Sequence, residues 1–272
     1  MNFLKTPRGR SRAAALVGLV AVASLTAACG GSGDNNQAQP VSPANSLSVA
    51  QMTVLPDANT YGSIPEADVV KDPSPTTPTQ GEVIHPKDDL PIYHEPNGKP
   101  IAKLPNLQMG SPTWVPVIAR QGDWAQVLLP TRPNAASGWV NTAGDVVEIA
   151  HNDAVINVDL KTFKLEIKRN GQSQGSWSIG TGKPEHPTPV GRAFIVASVD
   201  ESVNKYSKIV FPLSFHSDSL EEYGGGPGVT GMHTWPDNSF VGKATSDGCI
   251  RVTPEVLDKI GQLPMGTIVN IT

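Results

Sequence analysis

The chain has 272 residues with a net charge of −4, and its 26 glycines and 25 prolines argue against a mainly helical protein. An acidic chain without a long basic run also argues against a nucleic-acid partner. The length suggests one large domain or two small ones, and only 17% of the residues are charged.

Residues 1–28 have the three-part design of a secretory signal peptide. Four basic residues precede an apolar run over residues 13–25, and Ala27 and Ala28 stand directly before Cys29. The run is shorter than the roughly 20 residues of a transmembrane helix, and an uncleaved N-terminal anchor is the alternative. Cleavage would remove four basic residues and take the net charge from −4 to about −8.

Residues 25–30, Leu-Thr-Ala-Ala-Cys-Gly, resemble a bacterial lipobox in which the leucine lies one place further from the cysteine than usual. The resemblance implies that Cys29 becomes the new N-terminus and carries lipid. Several acyl chains hold a protein on a membrane, whereas a single chain binds only marginally. We therefore expect an exported lipoprotein on the outer face of the cell membrane, facing the cell wall.

Residues 29–81 are predicted to be a flexible linker rich in Pro, Ser and Asn. The segment opens with Gly-Gly-Ser-Gly-Asp-Asn-Asn-Gln and closes with Pro-Ser-Pro-Thr-Thr-Pro. Such a composition buries too little apolar surface to offset chain entropy. A short apolar stretch at residues 47–55 is expected either to pack on a domain or to pair as an edge strand.

Residues 82–150 predict a small β domain, because strand-sized apolar runs alternate closely with turn residues. Gly-Asp-Trp-Ala-Gln-Val at residues 122–127 and Gly-Trp-Val at residues 138–140 resemble segments of bacterial SH3-like domains. The resemblance implies a small β-barrel of a kind that often binds cell-wall peptides or acts as a spacer. Its tryptophans line a groove or, as we favour, fill the core.

Residues 151–272 predict a second β-rich unit. A hairpin is expected over residues 155–169, and Asn170-Gly171 is a strong tight-turn signal after it. One helix is expected to begin at Pro254, with Thr253 as its N-cap. Val256, Leu257 and Ile260 would form an apolar stripe along this helix. Further strands are predicted at residues 175–180, 192–196 and 267–271.

Two residues of this unit suggest nucleophilic chemistry. If Cys29 is acylated, Cys249 has no cysteine partner within an exported chain. His233 precedes it by 16 positions, and a cysteine nucleophile needs a base or an imidazolium because only the thiolate attacks. From spacing alone, a small buried core cysteine remains the alternative.

The segments Gly-Met-His-Thr-Trp at residues 231–235 and Ser-Asp-Gly-Cys-Ile-Arg at residues 246–251 resemble the signature of the L,D-transpeptidase catalytic domain, also called the YkuD domain. Upstream, the strand at residues 156–160, Gly-Thr-Gly-Lys at residues 180–183 and Thr-Pro-Val-Gly at residues 188–191 follow the family's order. The resemblance covers about residues 152–272. It implies a mainly β protein: a small SH3-like β-barrel, then a YkuD-like β-sandwich with one or two short helices.

The resemblance also implies a cysteine acyltransferase with a defined catalytic set. Cys249 is the expected nucleophile, and His233 generates or stabilises its thiolate. The backbone carbonyl of Thr234 orients the imidazole ring, and Gly248 contributes to the oxyanion hole. No metal and no cofactor are expected, because the remaining histidines show no metal-ligand grouping.

Three further residues are expected near the substrate. Arg251 is expected to pair with a substrate carboxylate, which suits a guanidinium fork, and Met232 to contact the substrate. Ser246 is expected there as well, mainly in support of the loop. The sequence departs from the family where Asp247 replaces a frequent second histidine. An inward carboxylate would raise the cysteine pKa, so Asp247 is expected to point away or to bond the loop backbone.

The implied reaction is peptidoglycan 3–3 cross-linking through a Cys249 thioester, in cell-wall biogenesis and the maintenance of cell shape. Stem peptides are the implied partners and carbapenems the implied inhibitors. Water or a protein amine as acceptor would instead make an L,D-carboxypeptidase or a protein-to-wall anchoring enzyme. A non-catalytic wall-binding lipoprotein is a third hypothesis, which Asp247 alone favours. His216 is expected to be an exposed loop histidine, and the glycines after it suggest a substrate lid.

Overall fold

The computed structural model describes residues 47–201, 206–223 and 225–272. The predicted signal peptide, the predicted lipidation at Cys29 and the first part of the predicted linker lie outside the described residues. Within these ranges the protein is mainly β with two short helices, which confirms the predicted fold class. In the same ranges, no helix has the length and apolar character needed to cross a membrane.

The N-terminal half of the described chain is built around an antiparallel sheet. After helix α1 (Val49–Thr53), its strands are β1 (Val70–Lys71), β2 (Glu82–Pro86), β3 (Leu90–Tyr93), β4 (Pro100–Leu104), β5 (Leu107–Gln108), β6 (Ser111–Pro112), β7 (Val115–Gln121), β8 (Trp124–Leu128), β9 (Ala136–Asn141) and β10 (Val147–His151). The sheet has the order β10-β2-β7-β8-β9-β3-β4, β1 pairs with β9, and β5 pairs with β6. Its core side chains include Trp124, which is 7% exposed. The SH3-like resemblance stays a prediction.

The flexible linker predicted for residues 29–81 is wrong over residues 56–72. Ala58 and Ile64 are 0% and 1% exposed, and the Ala58 N–H donates to the Lys103 carbonyl at 2.7 Å. β1 adds to the sheet through Val70 and Lys71. A few apolar anchors and edge pairing therefore order a segment whose average composition is that of a linker. Residues 47–55 do not form the edge strand that was one of the two expectations, because Val49–Thr53 is a helix. The apolar Leu47, Met52 and Leu55 are half-buried.

The C-terminal half contains two larger sheets that share one core with a helix. Its elements are β11 (Ala154–Asp159), β12 (Lys164–Arg169), β13 (Gln172–Ser178), β14 (Thr181–Gly182), β15 (Gly191–Phe194), β16 (Val199–Asp200), β17 (Ile209–His216), β18 (Val229–His233), β19 (Ala244–Ser246), β20 (Ile250–Arg251), α2 (Pro254–Ile260) and β21 (Ile268–Ile271). The two sheets have the orders β13-β12-β11-β21-β15 and β16-β17-β18-β20, while β14 pairs with β19. Burial alternates along β11, as expected for a strand with one face in a core.

Local sequence signals in this half are reproduced closely. β11 and β12 form the predicted hairpin, and β13 follows across Asn170 and Gly171, whose φ angles are 49° and 73°. Positive φ at two successive turn residues is the requirement that Asn-Gly meets. The helix begins at Pro254 as predicted, although the Thr253 side chain makes no capping hydrogen bond.

The two halves are joined by a desolvated contact. Arg192 of β15 donates to both carboxylate oxygens of Asp72, from Nε at 2.8 Å and from Nη2 at 2.7 Å. The two side chains are only 4% and 1% exposed. Phe194 and Val196, which follow Arg192, pack in the core of the N-terminal half. The halves therefore share both a buried ion pair and apolar packing.

We expect Asp72→Ala to lower the free energy of unfolding by about 3–5 kcal/mol, because it leaves the buried Arg192 guanidinium without its counter-charge. Urea unfolding of the full-length protein measures this change. The control is Asp68→Ala, which breaks an exposed pair with Lys99 and should cost about 1 kcal/mol or less. Equal costs for the two variants would contradict a desolvated contact between the halves.

Candidate active site

The candidate site lies where β18 and β20 run side by side in parallel. Met232 pairs with Ile250 and His233 pairs with Arg251. Cys249 directly precedes β20, so this pairing brings the thiol and the imidazole to the same edge of the sheet. His233 and Cys249 are 16 positions apart in the sequence, and the pairing of the two strands brings them together.

Both side chains line a cavity of about 120 Å³. Its lining residues are Tyr206, Val210, Pro212, Tyr223, Val229, Gly231, His233, Trp235, Ser246, Asp247, Cys249 and Arg251. Four of the predicted site residues are among them: Cys249, His233, Arg251 and Ser246. Three predicted residues, Thr234, Gly248 and Met232, are outside this lining.

The His233 ring is fixed by a hydrogen bond that it donates to the backbone carbonyl of the next residue, Thr234. Nδ1 lies 2.7 Å from the Thr234 carbonyl oxygen, and a carbonyl only accepts, so Nδ1 carries the proton in the neutral ring. Nε2 is then the basic nitrogen. Burial lowers the pKa of His233, and the Thr234 hydrogen bond opposes this effect. The orienting contact expected of Thr234 is thus present.

Cys249 is a free cysteine, and the residue as a whole is half-buried. Burial of the group raises its pKa, while a backbone hydrogen bond at Gly231 and the charge of Arg251 act in the opposite direction. A raised thiol pKa next to a lowered imidazole pKa favours the neutral form of both groups. Burial thus acts on both groups in the same sense, toward a thiol and a neutral imidazole.

The turn before Cys249 differs from the expectation for Gly248. Its N–H donates to the Ser246 hydroxyl at 3.2 Å, so this donor is already engaged and does not serve an oxyanion in this conformation. The same hydroxyl donates to the Cys249 carbonyl at 2.5 Å. Gly248 is instead required for its φ of 111°, a region that favours glycine. Ser246 thus bridges Gly248 and Cys249 within this turn.

The substrate contact predicted for Met232 is wrong for its side chain. Successive residues of a strand point to opposite faces, and the neighbours Gly231 and His233 line the cavity. Met232 accordingly points into the core, where it is 0% exposed. Strand alternation at this position therefore assigns Met232 to packing.

Arg251 supplies a cation to the cavity wall. Its guanidinium carbon lies 3.8 Å from the centre of the Trp235 ring, a stacked cation–π contact that fixes the plane of the fork. Nη1 donates weakly to Thr245, at 3.4 Å to the carbonyl and 3.3 Å to the hydroxyl oxygen. Among the described residues, Nε is buried without a hydrogen-bond partner. The guanidinium thus makes only long hydrogen bonds to Thr245 within the described residues.

Asp247 is held by a lysine on a neighbouring loop. Its Oδ1 lies 2.6 Å from the Lys183 Nζ, and this hydrogen bond raises the lysine pKa. Asp247 is the smallest of the contributions to the Cys249 pKa, and it acts to raise it. Asp247 is one of the residues that line the cavity, and Lys183 accompanies the charge of its carboxylate.

Three aromatic side chains of the cavity were given no role by the sequence reasoning. Tyr206 packs on His233 with ring centres 4.9 Å apart and lies 5.6 Å from Trp235. Trp235 follows His233 by two positions, so strand periodicity offered a signal for it. Tyr206 and Tyr223 reach the cavity from loops and had no local signal.

The histidine expected in an exposed loop is instead buried. His216 ends β17, is 0% exposed, and its Nε2 lies 2.7 Å from the Thr60 carbonyl oxygen. Its position outside the cavity lining gives it no direct part in the candidate chemistry. The reason for the difference is that the ordered segment around Thr60, which composition assigned to the linker, covers it.

Comparison with known proteins relates the C-terminal half of the chain to one family of catalytic domains. Residues 153–271 match the family model of the YkuD L,D-transpeptidase catalytic domain. A putative L,D-transpeptidase of Bacillus subtilis (strain 168), YqjB, is 27% identical over 126 residues, which cover 44% of this chain and 72% of that protein.

Two solved structures are also similar. A mutant of the Enterococcus faecium L,D-transpeptidase is 22% identical, with a TM-score of 0.33, and the match covers 44% of this chain and 50% of that chain. An L,D-transpeptidase in complex with imipenem is 14% identical, with a TM-score of 0.37 and coverage of 58% of this chain and 98% of that chain. The family match confirms, within residues 153–271, the L,D-transpeptidase catalytic domain that the motifs predicted.

Proposed function

We propose that this protein is a peptidoglycan L,D-transpeptidase that forms 3–3 cross-links through a thioester on Cys249. The observation that carries the proposal is the thiol of Cys249, the oriented imidazole of His233 and the cation of Arg251 on one cavity. The family match supports L,D-transpeptidase activity in general. The cross-link type and the thioester are our inference from the site.

The first half-reaction is acylation by a tetrapeptide stem. Arg251 binds a carboxylate of the donor, because its guanidinium is fixed on Trp235 and makes only long hydrogen bonds to Thr245 within the described residues. The Cys249 sulfur attacks the carbonyl of the peptide bond between the third residue and the terminal D-Ala. Nε2 of His233 takes the thiol proton and passes it to the leaving D-Ala amine, so that a thioester remains.

The second half-reaction transfers the acyl group. The side-chain amine of the third residue of another stem attacks the thioester carbonyl, and His233 accepts the proton that the amine loses. The new amide forms as the carbon–sulfur bond breaks, and the proton returns to the thiolate. Because the Gly248 N–H is engaged by Ser246, we assign the oxyanion to the Cys249 N–H.

The proposed setting is the outer face of the cell membrane. The lipobox-like residues 25–30 support a lipid anchor on Cys29. Together with the signal-like residues 1–28, they support export of the chain. A substrate in the cell wall is consistent with both features.

Cys249→Ala should abolish cross-linking and thioester formation while the fold is kept, because Cys249 supplies the only proposed nucleophile. We would incubate the full-length protein with tetrapeptide muropeptides and identify products by mass spectrometry. Intact mass after incubation with imipenem gives a second readout, with one adduct per chain expected on Cys249. The matched control is Cys29→Ala, which removes the other cysteine and should keep both reactions.

The products of the same incubation identify the acceptor. A 3–3 dimer supports transpeptidation, a tripeptide indicates transfer to water, and a protein adduct indicates wall anchoring. A folded Cys249→Ala protein that still forms dimers would contradict the thioester mechanism. A wild-type protein that gives neither product nor adduct would favour the wall-binding hypothesis.

Alkylation of Cys249 by iodoacetamide should increase with pH and reach half its maximum above pH 8.5 (roughly the ordinary thiol pKa), because burial raises the pKa of this thiol. Rates mapped to Cys249 by peptide mass spectrometry measure this midpoint. Asp247→Asn should shift the curve only slightly to lower pH, because Asp247 is the smallest contribution. A rate that is already constant between pH 6 and pH 8 (about the range of an ion pair) would indicate a resting thiolate instead.

A further inference from the structure

Tyr223 reaches the substrate cavity from a loop that joins β17 to β18. We call residues 217–223 and 225–228 the Tyr223 loop. Its base is closed by the Ser217 N–H, which donates to the Gly228 carbonyl at 2.8 Å, and its tip by reciprocal backbone hydrogen bonds of 2.9 Å between Tyr223 and Gly226. Neither contact ties the loop to the strands of the catalytic sheet.

Arg132, which precedes β9 in the N-terminal half, fills the middle of this loop. Its Nη1 donates to the Ser217 carbonyl at 3.3 Å. Its Nη2 donates to the carbonyls of Leu220 and Glu221, both at 3.4 Å, and of Pro227 at 3.0 Å. One guanidinium thus organises four backbone carbonyls, a task that suits a planar fork with five donors.

Gly228 shows how closely the loop surrounds Arg132. A Cβ at this position would lie 2.3 Å from the Leu220 carbonyl oxygen and 3.3 Å from the Arg132 Nη2. Its φ is +66°, so the position is strained for other residues. The backbone has therefore adopted a conformation in which its carbonyls converge on the side chain of another half of the protein.

Asn134 holds the start of the same loop. Its Oδ1 accepts from the His216 N–H and its Nδ2 donates to the His216 carbonyl, both at 2.8 Å. The Asn134 side-chain amide thereby makes the two hydrogen bonds that the backbone of a neighbouring strand would otherwise make to His216. Nδ2 also lies 3.2 Å from the Asp218 Oδ1. Together with the contact between His216 and Thr60, this fixes the chain on both sides of residue 217.

We propose that Arg132 and Asn134 are positioning residues that hold the Tyr223 loop against the donor-stem cavity. The proposal rests on the proposed function, since the ligand of that cavity is the stem peptide. Both residues lie outside the segment that matches the catalytic-domain family, residues 153–271. The N-terminal half then contributes two positioning residues to the donor site and is more than a spacer.

The test uses the full-length protein with Arg132→Ala and Asn134→Ala. Hydrogen exchange measured by mass spectrometry should show faster exchange of loop amides, by about tenfold or more, because local opening no longer breaks these hydrogen bonds. KM for the tetrapeptide donor should increase severalfold with a smaller change in kcat. The pH dependence of Cys249 alkylation should stay unchanged, because strands β18 and β20 set the catalytic pair.

The matched control is Arg120→Ala. Arg120 belongs to the same half and bonds Glu82 and Thr142, and neither of these belongs to the catalytic sheets. It should leave loop exchange and KM at wild-type values. Arg132→Lys should recover only part of the KM, since an ammonium lacks the fork that reaches both sides of the loop.

Two results would overturn the proposal. One is loop exchange in Arg132→Ala at the wild-type rate, and the other is faster exchange with an unchanged KM, which would make the contact purely structural. If the wild-type protein has no turnover, the proposed function fails separately. Calorimetric binding of the tetrapeptide then replaces KM, with weaker binding in the variants expected and equal or absent binding overturning the proposal.

Discussion

The parallel pairing of β18 with β20 is the constraint on which the candidate site depends. It places His233 opposite Arg251 and leaves Cys249 at the entrance of the second strand, so three chemical groups meet at one edge. Strand alternation then turns Gly231 and His233 to the cavity and Met232 to the core. A slip of one residue would exchange these faces, and the base would be buried among aliphatic side chains.

The meeting of Cys249 and His233 in one cavity, the hairpin, the Asn-Gly turn and the helix at Pro254 were predictable, because each depends on a short motif or a family signature. The roles of Met232 and Gly248 could not be predicted from the motifs. A motif gives positions in the chain, whereas their roles depend on strand alternation and on which hydroxyl reaches an N–H. Trp235 lay between these cases, since its spacing from His233 was visible but its stacking on Arg251 was not.

Contacts between the halves had no local signal at all. Asp72 and Arg192 are 120 positions apart, and Asp72 lies in a stretch whose composition is that of a linker. The average composition of a segment does not reveal one buried carboxylate, Asp72, or two apolar anchors, Ala58 and Ile64. These residues nevertheless order the segment. The same holds for Arg132 and Asn134, whose partners are backbone groups more than 80 positions away, because backbone groups carry no sequence signal.

The charges around the Cys249 thiol explain how an aspartate can stand next to the proposed nucleophile. An isolated carboxylate at this position would oppose thiolate formation. Asp247, however, forms an ion pair with Lys183, with 2.6 Å between Oδ1 and Nζ. Arg251 contributes a second cation at the cavity wall. Burial, rather than Asp247, is the main cause of the raised thiol pKa. Burial also lowers the pKa of His233, so the desolvation of the cavity favours the neutral form of both groups. The substitution of a frequent histidine by Asp247 therefore changes the charge of the loop without removing the acid–base logic of the site.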